Sequence, residues 1–329
     1  MQMIEDILNK ARGANAHVVL SEGEDPRVVE AGLRARAEGI ARITLVGRPD
    51  IIGDLGGVDG IYVADPMTSD KTDGYAEAYF QLRQHKGMSE DAALANVQNP
   101  LGFAAMMVRQ GDADGTLGGA VATTADVVRT ALQIIGRAKG VDVVSSYFLM
   151  LLKSPFDRPV VFSDCGLILQ PTAEELASIA IASSESLTAL TGLEPKVAML
   201  SFSTKGSVPV RAHESLERIQ DAMDILAERA PDLVVDGELQ FDAALVPDVA
   251  SKKAPESSIA GAANVLVFPS LSAGNIGYKI AQRLGGAVAL GPILQGLKRP
   301  ANDLSRGATA DDIYQMIAIT SAQTANSAT

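Results

Sequence analysis

The stretch Gly291–Asp312, GPILQGLKRPANDLSRGATADD, gathers side chains that could do chemistry at the start of a predicted helix. Ser305 and Arg306 stand just ahead of Thr309, and Thr309 followed three residues later by Asp312 is typical of a helix capping box. A hydroxyl, a guanidinium and free backbone N–H groups at a helix N-terminus suit a phosphate or a developing oxyanion. The same pattern also fits a capped surface helix after a polar loop, so chemistry alone leaves both interpretations open.

Two further segments place polar or charged side chains where an anion could bind. Thr123 follows the strand-ending turn Gly118-Gly119, and Arg129 lies about two turns into the helix that comes next. The carboxyl end of a parallel strand that leads into a helix N-terminus is where α/β sheets bind ligands. Arg83 lies near the end of another predicted helix, where a cation also simply stabilises the helix C-terminus.

Residues that bind metals or redox cofactors are sparse and scattered. There are three widely spaced histidines and one cysteine, which argues against a metal site and excludes an intrachain disulfide. Cys165 follows the apolar stretch Val160-Val161-Phe162 and is expected to be a buried small hydrophobe. No GxGxxG or GxxxxGK(S/T) motif occurs, and Lys205-Gly206-Ser207 lacks the upstream glycine of a phosphate-binding loop, so nicotinamide and nucleoside triphosphate sites lose their main support.

The composition is that of a globular, acidic protein. Of 329 residues, 47% are hydrophobic and 4% aromatic, and the mean hydropathy is +0.14. The net charge is −12, from 28 basic and 40 acidic residues with no basic run, which argues against nucleic-acid binding. An anionic substrate would therefore need a local concentration of arginines. The N-terminal segment has no signal-peptide core and no apolar stretch is long enough to span a membrane, so we expect a cytoplasmic protein without membrane contact.

Strand and helix patterns alternate along the chain, which predicts an α/β fold with parallel sheets covered by helices. Apolar segments predict strands at 18–20, 43–46, 160–162, 197–200, 233–235, 264–268 and 287–290. Periodic or capped segments predict helices at 3–11, 27–38, 75–85, 101–109, 172–190, 212–229 and 275–283. We expect an apolar strand–helix segment at 141–152, where the chain crosses into a second domain, and a surface loop at 251–258.

Segments spread over the whole chain carry a family resemblance. In chain order they are SEGEDPRVVEAG at 21–32, LRQHKGMS at 82–89, DGTLGGAVATTADVVRTALQIIG at 114–136, VSSYFLML at 144–151, DGELQFDAALVP at 236–247 and NVLVFPSLSAGNIGYKIAQRLGGA at 264–287, followed by the opening stretch. Together they resemble the phosphate acetyltransferase (phosphotransacetylase) family, with the related phosphate butyryltransferases behind it. The match leaves no large insert, so it is far more specific than any single motif.

The resemblance implies two α/β/α domains with mainly parallel sheets and a cleft between them. The first domain would be discontinuous, residues 1–143 with 296–329, and the second would span 144–295. The implied activity is reversible acetyl transfer between acetyl phosphate and coenzyme A, with inorganic phosphate and acetyl-CoA as the other partners. It implies coenzyme A as a substrate, no cofactor and no metal, and a homodimer.

The family's functional residues fall on matching positions of this sequence. Ser305 and Arg306 match the family's serine–arginine pair, and Asp312 matches its proposed base. The family's substrate-binding arginines match Arg83, Arg129 and Arg283. Ser305 could be a covalent nucleophile, but no histidine lies nearby in sequence to activate it, so direct transfer in a ternary complex is favoured. Asp312 could instead be only a helix cap.

Two departures from the family pattern leave alternatives open. Residues 166–171, GLILQP, replace a more polar stretch, and residues 203–208, STKGSV, replace one richer in glycine. Both put the acyl-chain preference and the coenzyme A contacts in question, but not the reaction type. One alternative is therefore a phosphate butyryltransferase or another short-chain acyl variant. A separate alternative is a non-catalytic module that senses acetyl-CoA, although the retained Ser305, Arg306 and Asp312 argue for catalysis.

Overall fold

The chain folds into two units in the computed structural model, which describes residues 2–53, 55 and 59–325. The first unit combines Met1–Lys139 with Leu297–Thr329, and the second is Gly140–Gly296. The first unit is therefore built from two separate stretches of chain, because the C-terminal segment returns to the fold of the N-terminal one.

The first unit contains a parallel sheet of five strands. Numbered along the whole chain, its strands are β1 (His17–Leu20), β2 (Arg42–Val46), β3 (Ile61–Ala64), β4 (Gly115–Gly118) and β11 (Ala301–Asp303). Their order is β11-β4-β1-β2-β3, and every described pairing is parallel. Asp303 lies opposite Gly118 in the register. The carboxyl ends of β4 and β11 therefore lie side by side, and the loops that follow them emerge at the same edge.

Eight helices of the first unit are described. They are α1 (Gln2–Ala14), α2 (Pro26–Ala37), α3 (Pro49–Ile52), α4 (Thr72–Arg83), α5 (Glu90–Val97), α6 (Pro100–Gln110), α7 (Thr124–Ile134) and α13 (Ala310–Thr324). Helix α13 contacts α1, α2 and strands β1, β4 and β11, while α6 contacts α7 and strands β1, β2 and β4. Among the buried core side chains are Tyr79, Phe103 and Met106. The helices thus cover the apolar strands, as expected for a parallel sheet.

The second unit holds a mixed sheet of six strands. These are β5 (Ser145–Leu151), β6 (Pro159–Ser163), β7 (Val197–Leu200), β8 (Val235–Leu239), β9 (Val265–Val267) and β10 (Val288–Gln295), in the order β10-β5-β6-β9-β7-β8. The β10–β5 and β5–β6 pairs are antiparallel and the others parallel. The helices are α8 (Ala173–Thr191), α9 (Glu214–Arg229), α10 (Phe241–Leu245), α11 (Pro247–Lys253) and α12 (Leu271–Arg283). Across both units, no described helix combines the length and the apolar character needed to cross a membrane.

The structure corrects several predicted segments. The strand–helix segment expected at 141–152 is a strand alone, because β5 pairs on both of its edges. The strand expected at 287–290 continues to Gln295, with an irregular register between Leu290 and Ile293 around the Gly-Pro pair. The strand expected at 233–235 lies instead at β8. The loop expected at 251–258 begins with the last turn of α11. Short strand β11 and helix α5 were not predicted.

Candidate active site

Ser305 and Arg306 lie on an exposed turn between strand β11 and helix α13. Leu304 and Ala308 are buried on either side of this turn, whereas Ser305, Arg306 and Gly307 are exposed. The Ala308 amide donates to Ser305 O at 2.8 Å, and the Gly307 amide donates to Ser305 Oγ at 3.3 Å. The buried residues Leu304 and Ala308 fix the turn. The Ser305 hydroxyl and the Arg306 guanidinium are therefore exposed to solvent at the carboxyl end of a parallel strand.

Asp312 forms the capping box that the sequence predicts. Its backbone N–H donates to Thr309 Oγ1 at 3.2 Å, and its Oδ2 accepts from the Thr309 backbone N–H at 2.9 Å and from the Thr309 hydroxyl at 2.8 Å. The side chain is exposed in the first turn of α13. Capping is therefore an observed role of Asp312, and the structure leaves its carboxylate open to solvent, where a substrate proton could reach it.

Arg27 holds the Ser305–Ala308 turn from the side of the N-terminal segment. Its Nη1 donates to Arg306 O at 3.0 Å and to Ala308 O at 2.8 Å, and its Nη2 donates to Ala120 O at 3.0 Å. Asp25 fixes the guanidinium through Nε at 3.0 Å and Nη2 at 2.7 Å, and these hydrogen bonds lower the pKa of the Asp25 carboxyl. Arg27 thus connects the turn to the loop after β4. The sequence did not predict this role, although Arg27 and Asp25 both belong to the family-like segment 21–32.

Glu22 holds the loop between β4 and α7. Its Oε2 accepts from the backbone N–H groups of Gly119 at 2.9 Å and Ala120 at 2.6 Å. Its Oε1 accepts from those of Val121 at 3.0 Å and Ala122 at 2.6 Å. Consecutive backbone N–H groups that converge in this way form an anion-binding concavity. In this structure a carboxylate of the chain itself fills it, which fixes the loop that begins α7.

A cavity of about 580 Å³ lies beside Arg129 in the first unit. Arg129 lines it from α7, is exposed, and is hydrogen-bonded to Asp126. Tyr79 forms another wall, and the charge of Arg83, at the end of α4, opposes the burial-driven rise in the pKa of that phenol. The buried Arg83 Nε has no hydrogen-bond partner among the described residues. Arg129 therefore brings positive charge to this cavity, which the carboxylates of Glu22 and Asp126 also line, and the part of Arg83 in the site stays a prediction.

Arg283 belongs to the second unit. It is the last residue of α12 and is exposed. Its part in the site stays a prediction.

The two segments that depart from the family pattern are each held by a buried carboxylate of the second unit. Asp164 accepts from the backbone N–H groups of Gly166 at 2.9 Å and Ile168 at 3.0 Å. Glu238 accepts from Ser203 Oγ at 3.0 Å and from the Gly206 N–H at 2.8 Å. Both segments are therefore ordered loops whose backbone is fixed by the protein interior.

Cys165 is buried, as the sequence predicts. Burial raises the pKa of its thiol, and the neighbouring Asp164 carboxylate raises it further. Such a thiol is a poor nucleophile. In the part of the chain that the structure describes, no group of three or more His, Cys, Asp and Glu side chains is arranged to hold a metal ion.

Asp303, two residues before Ser305, is a buried carboxyl that sequence reasoning also missed. It is 1% exposed, and its Oδ2 accepts from Thr124 Oγ1 at 2.7 Å. Burial raises the pKa of Asp303 to about 6, partly opposed by the Thr124 hydroxyl and the nearby Leu304 N–H, while the charge of Glu22 raises it further. The Leu304 N–H donates its hydrogen bond to Gly118 O at 2.7 Å and not to the carboxyl. An acidic residue within a short buried strand is the signal that could have singled it out.

The fold and the turn define a class of protein: an α/β protein with an exposed serine–arginine turn at the carboxyl edge of a parallel sheet. A sequence model of the phosphate acetyl/butaryl transferase family matches residues 2–321. The chain is 50% identical to a phosphate acetyltransferase of Paracoccus denitrificans, covering 98% of this chain and all of the relative. It is 44% identical to one of Acetivibrio thermocellus, covering 98% of both. The chain belongs to the phosphate acetyl/butaryl transferase family.

Solved structures show the same fold. A phosphotransacetylase from Streptococcus pyogenes matches with a TM-score of 0.90 at 42% identity, over 99% of this chain and 98% of that one. The EutD phosphotransacetylase from Staphylococcus aureus matches with a TM-score of 0.87 at 40% identity, over 98% of both chains. A branched-chain phosphotransacylase from Enterococcus faecalis, at 20% identity and a TM-score of 0.69, shares the fold. The predicted family and fold class are therefore confirmed.

Proposed function

We propose that this protein is a phosphate acetyltransferase, which reversibly moves an acetyl group between acetyl phosphate and coenzyme A. The observation that carries the proposal is the Ser305–Arg306 turn, exposed at a sheet edge and fixed from behind by Arg27. The names of the full-length relatives support the same reaction. Coenzyme A enters as a substrate, and the proposal includes no cofactor or metal.

The reaction makes one bond and breaks another at the acetyl carbonyl. The coenzyme A thiolate adds to the carbonyl carbon, and the tetrahedral intermediate then expels phosphate, so an S–C bond replaces a C–O bond. Arg306 would hold the phosphate through two parallel N–H donors, a geometry that lysine lacks. Ser305 would donate its hydroxyl hydrogen to the developing oxyanion.

Asp312 would accept the thiol proton, which later passes to solvent. Its exposed carboxylate in the first turn of α13, seven residues after Ser305, supports this role alongside the capping that the structure shows. Within the described part of the chain, the hydrogen bond to Ser305 Oγ comes from a backbone amide. A serine without a base is a weak nucleophile, so we propose direct transfer in a ternary complex.

The remaining arginines would bind the phosphates of the substrates. Arg129 lines the first-unit cavity, Arg83 ends α4 near Tyr79 of the cavity wall, and Arg283 is the last residue of α12. Because the net charge of the protein is −12, its overall field repels acetyl phosphate and coenzyme A. Local arginines are thus the groups that make binding favourable.

Formation of coenzyme A thioester from acyl phosphates tests the function. The purified chain, without added metal or nicotinamide, should convert acetyl phosphate and coenzyme A to acetyl-CoA, and should convert butyryl phosphate more slowly. A higher kcat/KM with butyryl phosphate would assign a phosphate butyryltransferase instead. A folded sample that binds acetyl-CoA tightly but forms no thioester would assign a sensing module.

We also propose a cytoplasmic homodimer. The single cysteine is buried, and a chain without disulfides suits a reducing compartment. Ile276 and Ile280 of helix α12 and Leu284, the residue that follows the helix, are exposed at four-residue spacing on one face, Leu284 to 85%. A second copy would cover this face. Light scattering should give twice the monomer mass of 34.3 kDa for the wild type. The Leu284→Glu variant should shift toward the monomer. A monomeric wild type at micromolar concentration would refute the homodimer.

A further inference from the structure

Asp303 is a buried carboxyl with only one of its two oxygens satisfied. Oδ2 accepts the Thr124 hydroxyl at 2.7 Å, whereas Oδ1 is buried without a hydrogen-bond partner among the described residues. A buried ionised oxygen that receives no donor is costly. A buried carboxyl without a full set of donors lowers the stability of the native state. Such a group therefore points to a functional role rather than to a packing role.

The position of Asp303 joins two segments of the candidate site. It ends strand β11 two residues before Ser305, and its partner Thr124 is the first residue of α7, which carries Arg129. The packing on Oδ1 is close, because a Cβ placed on Gly119 would lie 2.3 Å from this atom. Two residues of chain span at most about 7 Å, so Asp303 lies near the Ser305–Arg306 turn, and its negative charge opposes an anion bound there.

Charged groups on the elements around Asp303 are mostly paired with one another. Strand β4 carries no titratable side chain, and Glu22 faces the loop after it with its carboxylate bound to four backbone N–H groups. The ion pairs on the other adjacent segments are Asp25–Arg27, Asp126–Arg129 and Arg34–Asp311. Asp312 caps α13, and Arg306 is exposed. Asp303 is therefore the buried carboxyl of this region that lacks both a cation and a full set of donors.

We propose that Asp303 is a positioning residue that takes up a proton from solvent when a phosphate dianion binds at the Ser305–Arg306 turn. In the charged form its Oδ2 holds α7 to the strand before Ser305. In the protonated form the proton resides on the carboxyl, so the repulsion between Asp303 and the incoming dianion is removed. This inference rests on the proposed function, since it assumes that the turn binds phosphate.

Asp303 titrates in a pH range where phosphate binding can change its protonation. Its pKa is raised to about 6, so most of the free protein carries the charge at neutral pH. A bound dianion within several ångströms raises that pKa further. If the rise is about one unit, binding takes up at most about 0.5 proton per site, between the free and bound pKa values.

Calorimetric titration with sulfate tests the proposal, because sulfate mimics a phosphate dianion but does not itself titrate between pH 6 and pH 8. Measurements in two buffers of different ionisation enthalpy give the number of protons taken up. The wild type should take up roughly 0.5 proton near pH 6.5, and Asp303→Asn should lose most of this uptake. Absence of uptake, equal uptake in both proteins, or absence of sulfate binding would each overturn the proposal.

Two variants sharpen the test. Thr124→Val removes the donor that stabilises charged Asp303, so the uptake maximum should move to higher pH, which keeps the proposal testable if Asp303→Asn fails to fold. Asp311→Asn removes an exposed carboxylate on α13 and should leave the uptake unchanged; a loss there would contradict the assignment. Acetyl-CoA formation by the same samples separates the two proposals: activity without proton uptake refutes only the role of Asp303, and uptake without activity refutes only the proposed function.

Discussion

Arg306 is the residue whose geometry matters most to phosphate binding. Arg306→Lys keeps the positive charge but loses the paired N–H donors, so kcat should fall about 10- to 100-fold and the KM for acetyl phosphate should rise modestly. The backbone of the turn is held by Arg27 through carbonyl oxygens, so the fold should be unaffected. Steady-state kinetics checks this; kinetics equal to the wild type would show that Arg306 does not bind phosphate bidentately.

Asp312→Asn separates the base from the cap. Asparagine keeps an acceptor for the Thr309 N–H, so the unfolding midpoint should barely move. kcat should drop with little change in the KM for acetyl phosphate, and higher pH should partly restore it because free thiols ionise near ~8.5. The same change at Asp311, an exposed carboxylate one residue earlier, is the matched control. Near-normal kcat at neutral pH in Asp312→Asn would leave Asp312 as a cap alone.

Asp303 should make the native state lose stability as pH rises. Its pKa in the native protein is about 6 against an ordinary value of 3.8, so the native state binds the proton more readily than the unfolded chain. The stability gained below pH 3.8 is therefore lost as pH rises through about 6. Relative to wild type, Asp303→Asn should gain roughly 1.4 kcal/mol between pH 5 and pH 8. Urea unfolding followed by circular dichroism measures this, and a pH-independent difference would contradict the burial of a charge.

At the residue scale, the side chains that match a motif could be predicted from the sequence. The side chains that act through contacts distant in sequence could not. Ser305, Arg306 and Asp312 stand together in sequence beside a helix start. Arg27 meets the backbone of Arg306 across 279 positions, and Asp303 meets Thr124 across 179. No local pattern encodes such contacts, so the supporting residues emerged only from the fold.

At the scale of elements, helix starts were predictable because capping is local. The capping box Thr309–Asp312 forms as its spacing predicts, and the helices predicted after Thr123 and from residue 172 begin with side-chain caps at Thr123 and Thr172. Strand β11 was not predictable, since three residues become a strand only by pairing with β4. The turn that carries Ser305 depends on this strand, so the site could be located in the sequence but its support could not.

The loop between β4 and α7 should depend on Glu22. Glu22→Gln replaces one of two accepting oxygens with a donor that opposes the backbone N–H groups of the loop, at a cost of about 1–3 kcal/mol. Amide exchange at Gly119–Ala122 should therefore speed up, and kcat should fall with it. Glu24→Gln weakens only exposed interactions with the side chain and backbone N–H of Arg48, so it should leave these amides protected. Unchanged exchange in Glu22→Gln would show that the loop is held by other means.

At the scale of the whole molecule, composition and pattern predicted an α/β protein, and the family resemblance added the two-part architecture. Alternating strands and helices lead to parallel sheets, whereas the return of residues 297–329 to the first unit follows from contacts between α13 and the N-terminal helices. The antiparallel pairing at the edge of the second sheet could not be predicted either, because the apolar sequences of β5 and β10 do not indicate the direction in which these strands pair.

Isotope exchange tests most directly whether this molecule transfers acetyl groups without an acyl-enzyme. Labelled inorganic phosphate is incubated with acetyl phosphate and the protein, with and without coenzyme A. Direct transfer predicts that label enters acetyl phosphate only when coenzyme A is present, because phosphate must attack acetyl-CoA. It also predicts that Arg306→Ala nearly abolishes the exchange, whereas Arg299→Ala, an exposed arginine outside the turn, does not. Exchange in the absence of coenzyme A, or none in its presence, would contradict the account.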